Sequence, residues 1–225
     1  MYGKNPIRPP ENGPGLNLAV QEIFPTLQGE GPFAGMPAVF VRLGGCNLAC
    51  SFCDTEFEDF DEMSLRDIMG EVESLAKSSV NAKARKLVVI TGGEPLRQPI
   101  ELLCQTLLDD GFDVQIETNG TIWRELPEAV DVVCSPKATN GTYFPVRDDV
   151  LQRASALKFI VSEHLAGYGD VPEVGQDKFD TPVYVQPMDE YDEIKNQENL
   201  MLATRLAMQN GYRLSVQLHK IIGVA

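Results

Sequence analysis

The chain has 225 residues, enough to bury the core of one large α/β domain. Its apolar fraction of 43% and charged fraction of 23% are those of an ordinary folded protein, which argues against a disordered or fibrous chain. A formal net charge of −14 with no basic cluster argues against nucleic acid or an anionic membrane surface as direct partners.

Residues 1–17 are polar and rich in proline and glycine, and read as a flexible N-terminal arm ahead of a single domain over 18–225. LAVQEIF (18–24) and AVFVRL (38–43) are short, apolar and β-branched or aromatic, the marks of strands. Between them PTLQGEGPFAGMP is too dense in glycine and proline for helix or regular strand. GGCNLACSFCDTEF follows at once, so its cysteines are expected on a loop at a strand's C-terminal end. Ser64 opens a helix with Leu65, Ile68, Met69, Val72 and Leu75 on one face.

KLVVIT (86–91) reads as a buried strand ending in GGEP, and QPIELLCQTLLDDG as a helix stopped at Gly111. DVQIETNG, DVVCSPK, ALKFIVS and PVYVQPM each read as a strand closing in polar residues. A long helix is expected over about 193–210, ended by Asn210-Gly211, with RLSVQLHK a final strand. Strands alternating with helices predict a mainly parallel α/β fold, and too few units are present for a closed eight-fold barrel. A partial, open barrel is expected. No apolar run approaches the roughly 20 residues of a membrane helix.

Five cysteines, an odd number, and no visible export signal favour reduced thiols and a cytoplasmic location. Cys46, Cys50 and Cys53 form a CxxxCxxC pattern, and soft thiolates suit an iron–sulfur cluster or zinc. Three ligands leave one iron of a cubane open. A structural zinc site would want a fourth donor, for which Cys104 and His164 lie far along the chain. Cys104 and Cys134 fall in apolar segments and read as core thiols. In TGGEP (91–95) two glycines permit close backbone approach, with Glu94 a possible acceptor for an amine or hydroxyl.

CNLACSFCD, with Phe52 before the last cysteine, resembles the signature of the radical S-adenosylmethionine (SAM) superfamily. Taken with LQGEG (27–31), GCNLxC, CDT, TGGEP, ETNG, SPK (135–137), QPMD (186–189) and QLHK (217–220), the chain resembles the 7-carboxy-7-deazaguanine synthases from about residue 18 onward. QLHK stands where many of that family have QTHK. The resemblance implies a modified (β/α) barrel, usually homodimeric. It also implies conversion of 6-carboxy-5,6,7,8-tetrahydropterin to 7-carboxy-7-deazaguanine with release of ammonia, on the route to queuosine and related 7-deazapurines. The cofactors implied are a 4Fe-4S cluster, SAM and Mg2+, with an electron donor such as flavodoxin.

Carried over residue by residue, the resemblance gives the cluster to Cys46, Cys50 and Cys53 and magnesium to Thr55. It lines the SAM site with Phe52, Asp54, Gly93, Ser135, Pro136, Lys137, Gln186, Pro187, Met188 and Asp189. Leu27, Gln28, Gly29, Arg42, Thr91 and Ala225 would hold the pterin, with Arg42 on its carboxylate, and Glu117 would act at the reacting region. Two other readings are a glycyl-radical-enzyme activase, which would act on a partner protein, and a non-catalytic metal-binding module.

Overall fold

The structure is a computed structural model and describes residues 5–53 and 55–224. Strand β1 (Asn17–Leu27) turns through a 3-10 segment at Gly31–Phe33 into β2 (Pro37–Leu43). The cysteine loop follows, then β3 (Asp61–Ser64), α1 (Leu65–Ala76) and β4 (Leu87–Gly92). A 3-10 turn at Pro95–Arg97 leads to α2 (Glu101–Asp109), β5 (Asp113–Thr118) and β6 (Asp131–Cys134). A small hairpin of β7 (Ala138–Thr139) and β8 (Thr142–Tyr143) precedes α3 (Asp148–Arg153) and β9 (Ala154–Val161). The remainder is α4 (Gln176–Phe179), β10 (Val183–Pro187), α5 (Glu193–Asn210), β11 (Arg213–Leu214) and α6 (Leu218–Ile222).

One sheet has the order β11-β10-β9-β6-β5-β4-β2-β1-β3. Pairing from β2 through to β11 is parallel, and β1 runs antiparallel to both β2 and β3. Among the described residues β3 and β11 are the two ends of the sheet and do not pair, so the barrel is open. No helix among these residues is long and apolar enough to cross a membrane.

Strand alternation sorts the side chains. Val39, Val41, Val88, Ile90, Val114 and Ile116 pack with Ile68 and Val72 of α1 and Leu103 and Leu107 of α2 in the main core. Each such burial contributes about 1.5–3 kcal/mol. The intervening residues, among them Arg42, Thr91, Glu117, Lys158 and Gln186, point to the opposite face and line a cavity there. The parallel strands therefore carry an apolar side against the helices and a polar side toward the cavity.

Helix boundaries follow local chemistry. Ser64 Oγ accepts the Asp67 amide at 3.2 Å and starts α1. Asp192 Oδ1 accepts the amides of Ile194 and Lys195 at 3.0 and 3.1 Å to start α5, and Gly211 at φ +73° ends it.

Three expectations are corrected. Pro25–Leu27 belongs to β1, paired with Pro37–Val39; β3 covers only residues 17–20 on the other side, and a proline is tolerated along the open edge. Gln98 is not helical but extended (φ −99°, ψ 156°), as suits a residue before Pro99, and its side chain bridges Ala19 (2.7 and 2.9 Å) and the Gly44 carbonyl (3.1 Å). RLSVQLHK is not one strand. Only Arg213 and Leu214 pair with β10; Leu218 N then bonds Gly29 O at 3.0 Å, drawing the chain off the sheet into α6.

Residues 5–11, part of the stretch 1–17 read from sequence as a flexible arm, lie against the cysteine loop and the 3-10 turn at Pro95–Arg97. Arg8 N donates to Cys46 O at 2.7 Å, and Glu11 N to Arg97 O at 2.7 Å.

Candidate active site

The cavity has a volume of about 630 Å³ and lies on the side of the sheet away from α1 and α2. Its first wall is the loop after β2. Cys46, Cys50 and Cys53 gather around Leu48 and Phe57, and all three line the cavity. Cys46 Sγ accepts the Leu48 amide at 3.4 Å, and Cys53 N bonds Cys50 O at 3.2 Å. Burial pushes the Cys46 thiol up to about 12 and raises that of Cys50, so a metal must displace their protons when it binds.

The TGGEP turn packs directly on this loop. A Cβ at Gly93 would meet the Gly45 carbonyl and come within 2.8 Å of the Cys46 Cβ. Gly92, at φ +128°, stands against the Leu43 backbone. Only glycines allow this approach. Glu94 does not face the cavity as a ligand acceptor: it is fully buried, and its carboxylate accepts Leu96 N (3.0 Å), Thr118 Oγ1 (2.8 Å) and Asn119 N (2.7 Å). Burial pushes it up to about 7, against three hydrogen bonds that favour the carboxylate. It locks the GGEP turn to the end of β5. Asn119 in turn bonds Asn47 of the cysteine loop at 2.9 Å, so ETNGT supports that loop from behind.

At the base of the cavity lies a charged group that local sequence did not point out. Lys158 is 3% exposed; its ammonium bonds Glu117 Oε2 at 2.9 Å and also pairs with Glu30. Glu117 Oε1 takes Gln28 Nε2 (3.0 Å) and Gln115 Nε2 (3.1 Å), and Glu30 Oε1 takes Gln217 Nε2 (3.0 Å). Burial alone would raise the Glu30 carboxyl, but the charge and hydrogen bond of Lys158 and the Gln217 amide outweigh it and hold it down at about 2. The one sequence signal was a lysine inside the buried strand ALKFIVS, where a charge must have a partner.

Most expected site residues meet here. Leu27, Gln28, Arg42, Phe52, Thr55, Thr91, Gly93 and Glu117 line the cavity, as do Ser135, Lys137 and Gln186 through Asp189. Arg42 sits beside Thr91 across the β2–β4 pair, bonded to Glu22 and 5.0 Å over the Phe24 ring. Lys137 Nζ folds onto Ser135 (2.6 Å to Oγ), and Asp189 accepts Lys220 Nζ at 2.6 Å. Gly29 and Pro136 are buried and do not line the cavity; Gly29 makes room for the His219 ring, whose Nδ1 a Cβ would overlap. Asp54 and Ala225 fall outside the described residues. Cys104 and Cys134 are core thiols, fully buried and pushed up to about 12 by burial.

A further cavity residue was missed. The β1 ladder skips between Val20 and Glu22, so Gln21 is a bulge residue; it lines the cavity, and its buried Oε1 has no hydrogen-bond partner among the described residues.

Comparison with known proteins agrees with this geometry. A family described as the radical SAM superfamily matches residues 40–137. The 7-carboxy-7-deazaguanine synthase of Rickettsia prowazekii is 55% identical over 100% of this chain and 96% of its own length. The chain belongs to the 7-carboxy-7-deazaguanine synthase family. The Rhodospirillum rubrum synthase is 39% identical over the full length of both chains. The crystal structure of QueE from Escherichia coli superposes with a TM-score of 0.69 at 26% identity, covering 90% of this chain and 95% of that one.

Membership of the radical SAM superfamily brings a 4Fe-4S cluster and SAM, and the residues of this synthase fit them. Three soft donors share one loop facing the cavity, and the glycine backbone of the next strand end lies within van der Waals reach. Among the described residues no three His, Cys, Asp or Glu side chains are arranged to hold a single metal ion. A cubane asks for something else, one thiolate on each of three separate irons.

Proposed function

We propose that this chain converts 6-carboxy-5,6,7,8-tetrahydropterin to 7-carboxy-7-deazaguanine with release of ammonia, using Cys46, Cys50 and Cys53 to hold the cluster. The observation that carries the residue-level reading is that the cysteine loop, the Gly92–Gly93 backbone and the Lys158–Glu117–Glu30 group share one cavity. When bound, the reduced cluster and SAM supply the radical that starts the reaction at carbon 6 of the pterin.

The chain's own groups divide the remaining work. On the cysteine side, Phe52, Gly93, Ser135, Lys137 and Gln186 to Asp189 enclose SAM. On the other side Gln28 and Glu117 offer acceptors and donors to the pterin ring, while Lys158 orients the Glu117 carboxylate. Arg42 receives the substrate carboxylate in exchange for Glu22, a half-exposed partner that costs little to give up. Thr55 supplies an oxygen to magnesium, a hard ion that suits it. The reading carries with it a one-electron donor such as flavodoxin, a homodimer and a cytoplasmic location.

The test is anaerobic reconstitution with iron and sulfide, then incubation with the carboxytetrahydropterin, SAM, magnesium and a reductant. A deazapurine product of the right mass, formed without any partner protein, is the expected result, and it separates this reading from a glycyl-radical activase. A fully loaded cluster that yields no product would defeat the assignment.

A further inference from the structure

Among the described residues, the loop that bears the three cysteines has no helix or strand between Leu43 and Asp61, and few backbone bonds of its own. Loops of that kind open easily unless something outside them supplies the missing contacts. Residues 5–11 do so at several points. Ile7 bridges Cys46 in parallel register, and Arg8 N donates to the Cys46 carbonyl at 2.7 Å. Asn5 Nδ2 reaches the Thr55 carbonyl at 3.0 Å. Within four residues the segment thus grips the loop at its first ligand and just past its last.

The side chains add a second layer. Arg8 Nε lies 2.9 and 3.1 Å from the two oxygens of Glu58, with Nη2 2.5 Å from Oε2, and its guanidinium stands 5.1 Å over the Phe60 ring. Phe60 covers Gly44, while Arg8 and Arg97 flank Gly45 closely enough that a Cβ there would meet both, at 2.7 and 2.9 Å. Arg97 is 1% exposed and bonds the Gly44 carbonyl at 3.1 Å. Its own charge is met by Glu11 at 2.5 Å, and Pro9 O lies 3.3 Å away. The hinge of the cysteine loop is therefore closed between two arginines, one carried by the N-terminal segment and the other neutralised by it.

We propose that residues 5–11 form a clamp that holds the cluster-bearing loop closed, with Arg8 as its positioning residue. The clamp keeps the three sulfurs at cluster spacing and bars oxidant and chelator from the loop's outer side. It rests on the reading that Cys46, Cys50 and Cys53 ligate the cluster.

The test compares wild type, Arg8→Ala, Arg8→Lys, the exchanged pair Arg8→Glu with Glu58→Arg, and Arg147→Ala. The last removes a comparable exposed ion pair, with Asp149, at the start of α3. Each is reconstituted anaerobically in full length, its iron counted, and the cluster's visible absorbance followed after addition of an iron chelator or air. Arg8→Ala is expected to lose its cluster about three- to tenfold faster from the same initial iron content. Arg8→Lys should fall between, the exchanged pair should recover most of the difference, and Arg147→Ala should match wild type. Equal loss rates in Arg8→Ala and wild type, equal acceleration in Arg147→Ala, or no recovery in the exchanged pair would overturn the clamp while leaving cluster ligation standing. A wild-type chain that takes up no iron would overturn the ligation reading, and the clamp with it.

Discussion

Lys158 and Glu117 face each other across the strands of the open barrel, ammonium nitrogen to carboxylate oxygen at 2.9 Å, with Lys158 almost wholly enclosed. Glu30, arriving from the loop after β1, meets the same ammonium. One buried cation thus holds two carboxylates in the cavity base, and its removal leaves two negative charges together without the ammonium they share.

Replacing the lysine tests that relationship. Lys158→Met keeps the volume but strands both carboxylates, and breaking a buried pair in this way costs about 3–5 kcal/mol. Denaturant unfolding should show a loss of that size, and turnover should fall at least about a hundredfold because Glu117 is no longer held. Wild-type stability in the variant would show that the group is not electrostatically coupled.

Acid should act through Glu30. Its carboxyl is held down at about 2 in the folded chain, below its ordinary 4.5, so the contribution is complete above 4.5 and is lost as the pH falls toward 2. The difference corresponds to about 3 kcal/mol. Unfolding free energies measured from pH 6 down to pH 3 should fall more steeply in wild type than in Glu30→Gln. Parallel slopes would remove Glu30 from the account.

Gly93→Ala probes the meeting of the two loops. The new methyl group would come within 2.8 Å of the Cys46 Cβ and against the Gly45 carbonyl, so the cysteine loop must shift to admit it. Iron bound per chain after reconstitution should drop well below wild type while the far-ultraviolet circular dichroism stays the same. Full iron loading would mean that the loop yields without cost.

Arg42 makes a kinetic prediction. If its guanidinium takes the substrate carboxylate from Glu22, Arg42→Ala should raise KM about 10- to 100-fold and change kcat much less. Arg42→Lys should recover only part, since an ammonium cannot reproduce the planar two-point contact. A loss confined to kcat would place Arg42 elsewhere in the reaction.

The residues that carry the chemistry by type and spacing were open to reading in the chain itself. CxxxCxxC, the glycine pair after KLVVIT, and the polar ends of ETNG, SPK and QPMD are each contiguous, and each occupies the cavity wall. Helix limits at Ser64 and Gly211 were equally plain, because caps act within one turn. The RLSVQLHK segment misled for the opposite reason. Its apolar pattern suits a strand, but β10 offers it only two paired residues, and the bond from Leu218 to Gly29 diverts the rest.

What sequence alone determined is therefore the three-cysteine loop, the family and the alternating α/β plan, since short-range residue patterns encode them. The tertiary structure decided the rest. Glu30 and Lys158 lie 128 positions apart, and the three meet only because strand alternation turns Glu117 and Lys158 inward while the turn after β1 carries Glu30 to the same place. The same holds for residues 5–11, whose polar, proline-rich sequence looks loose on its own and becomes a fixed contact only against Cys46, Glu58 and Arg97. A lysine within a buried strand shows that a partner is needed but not which one, because the constraint that joins distant charges is the packing of the sheet.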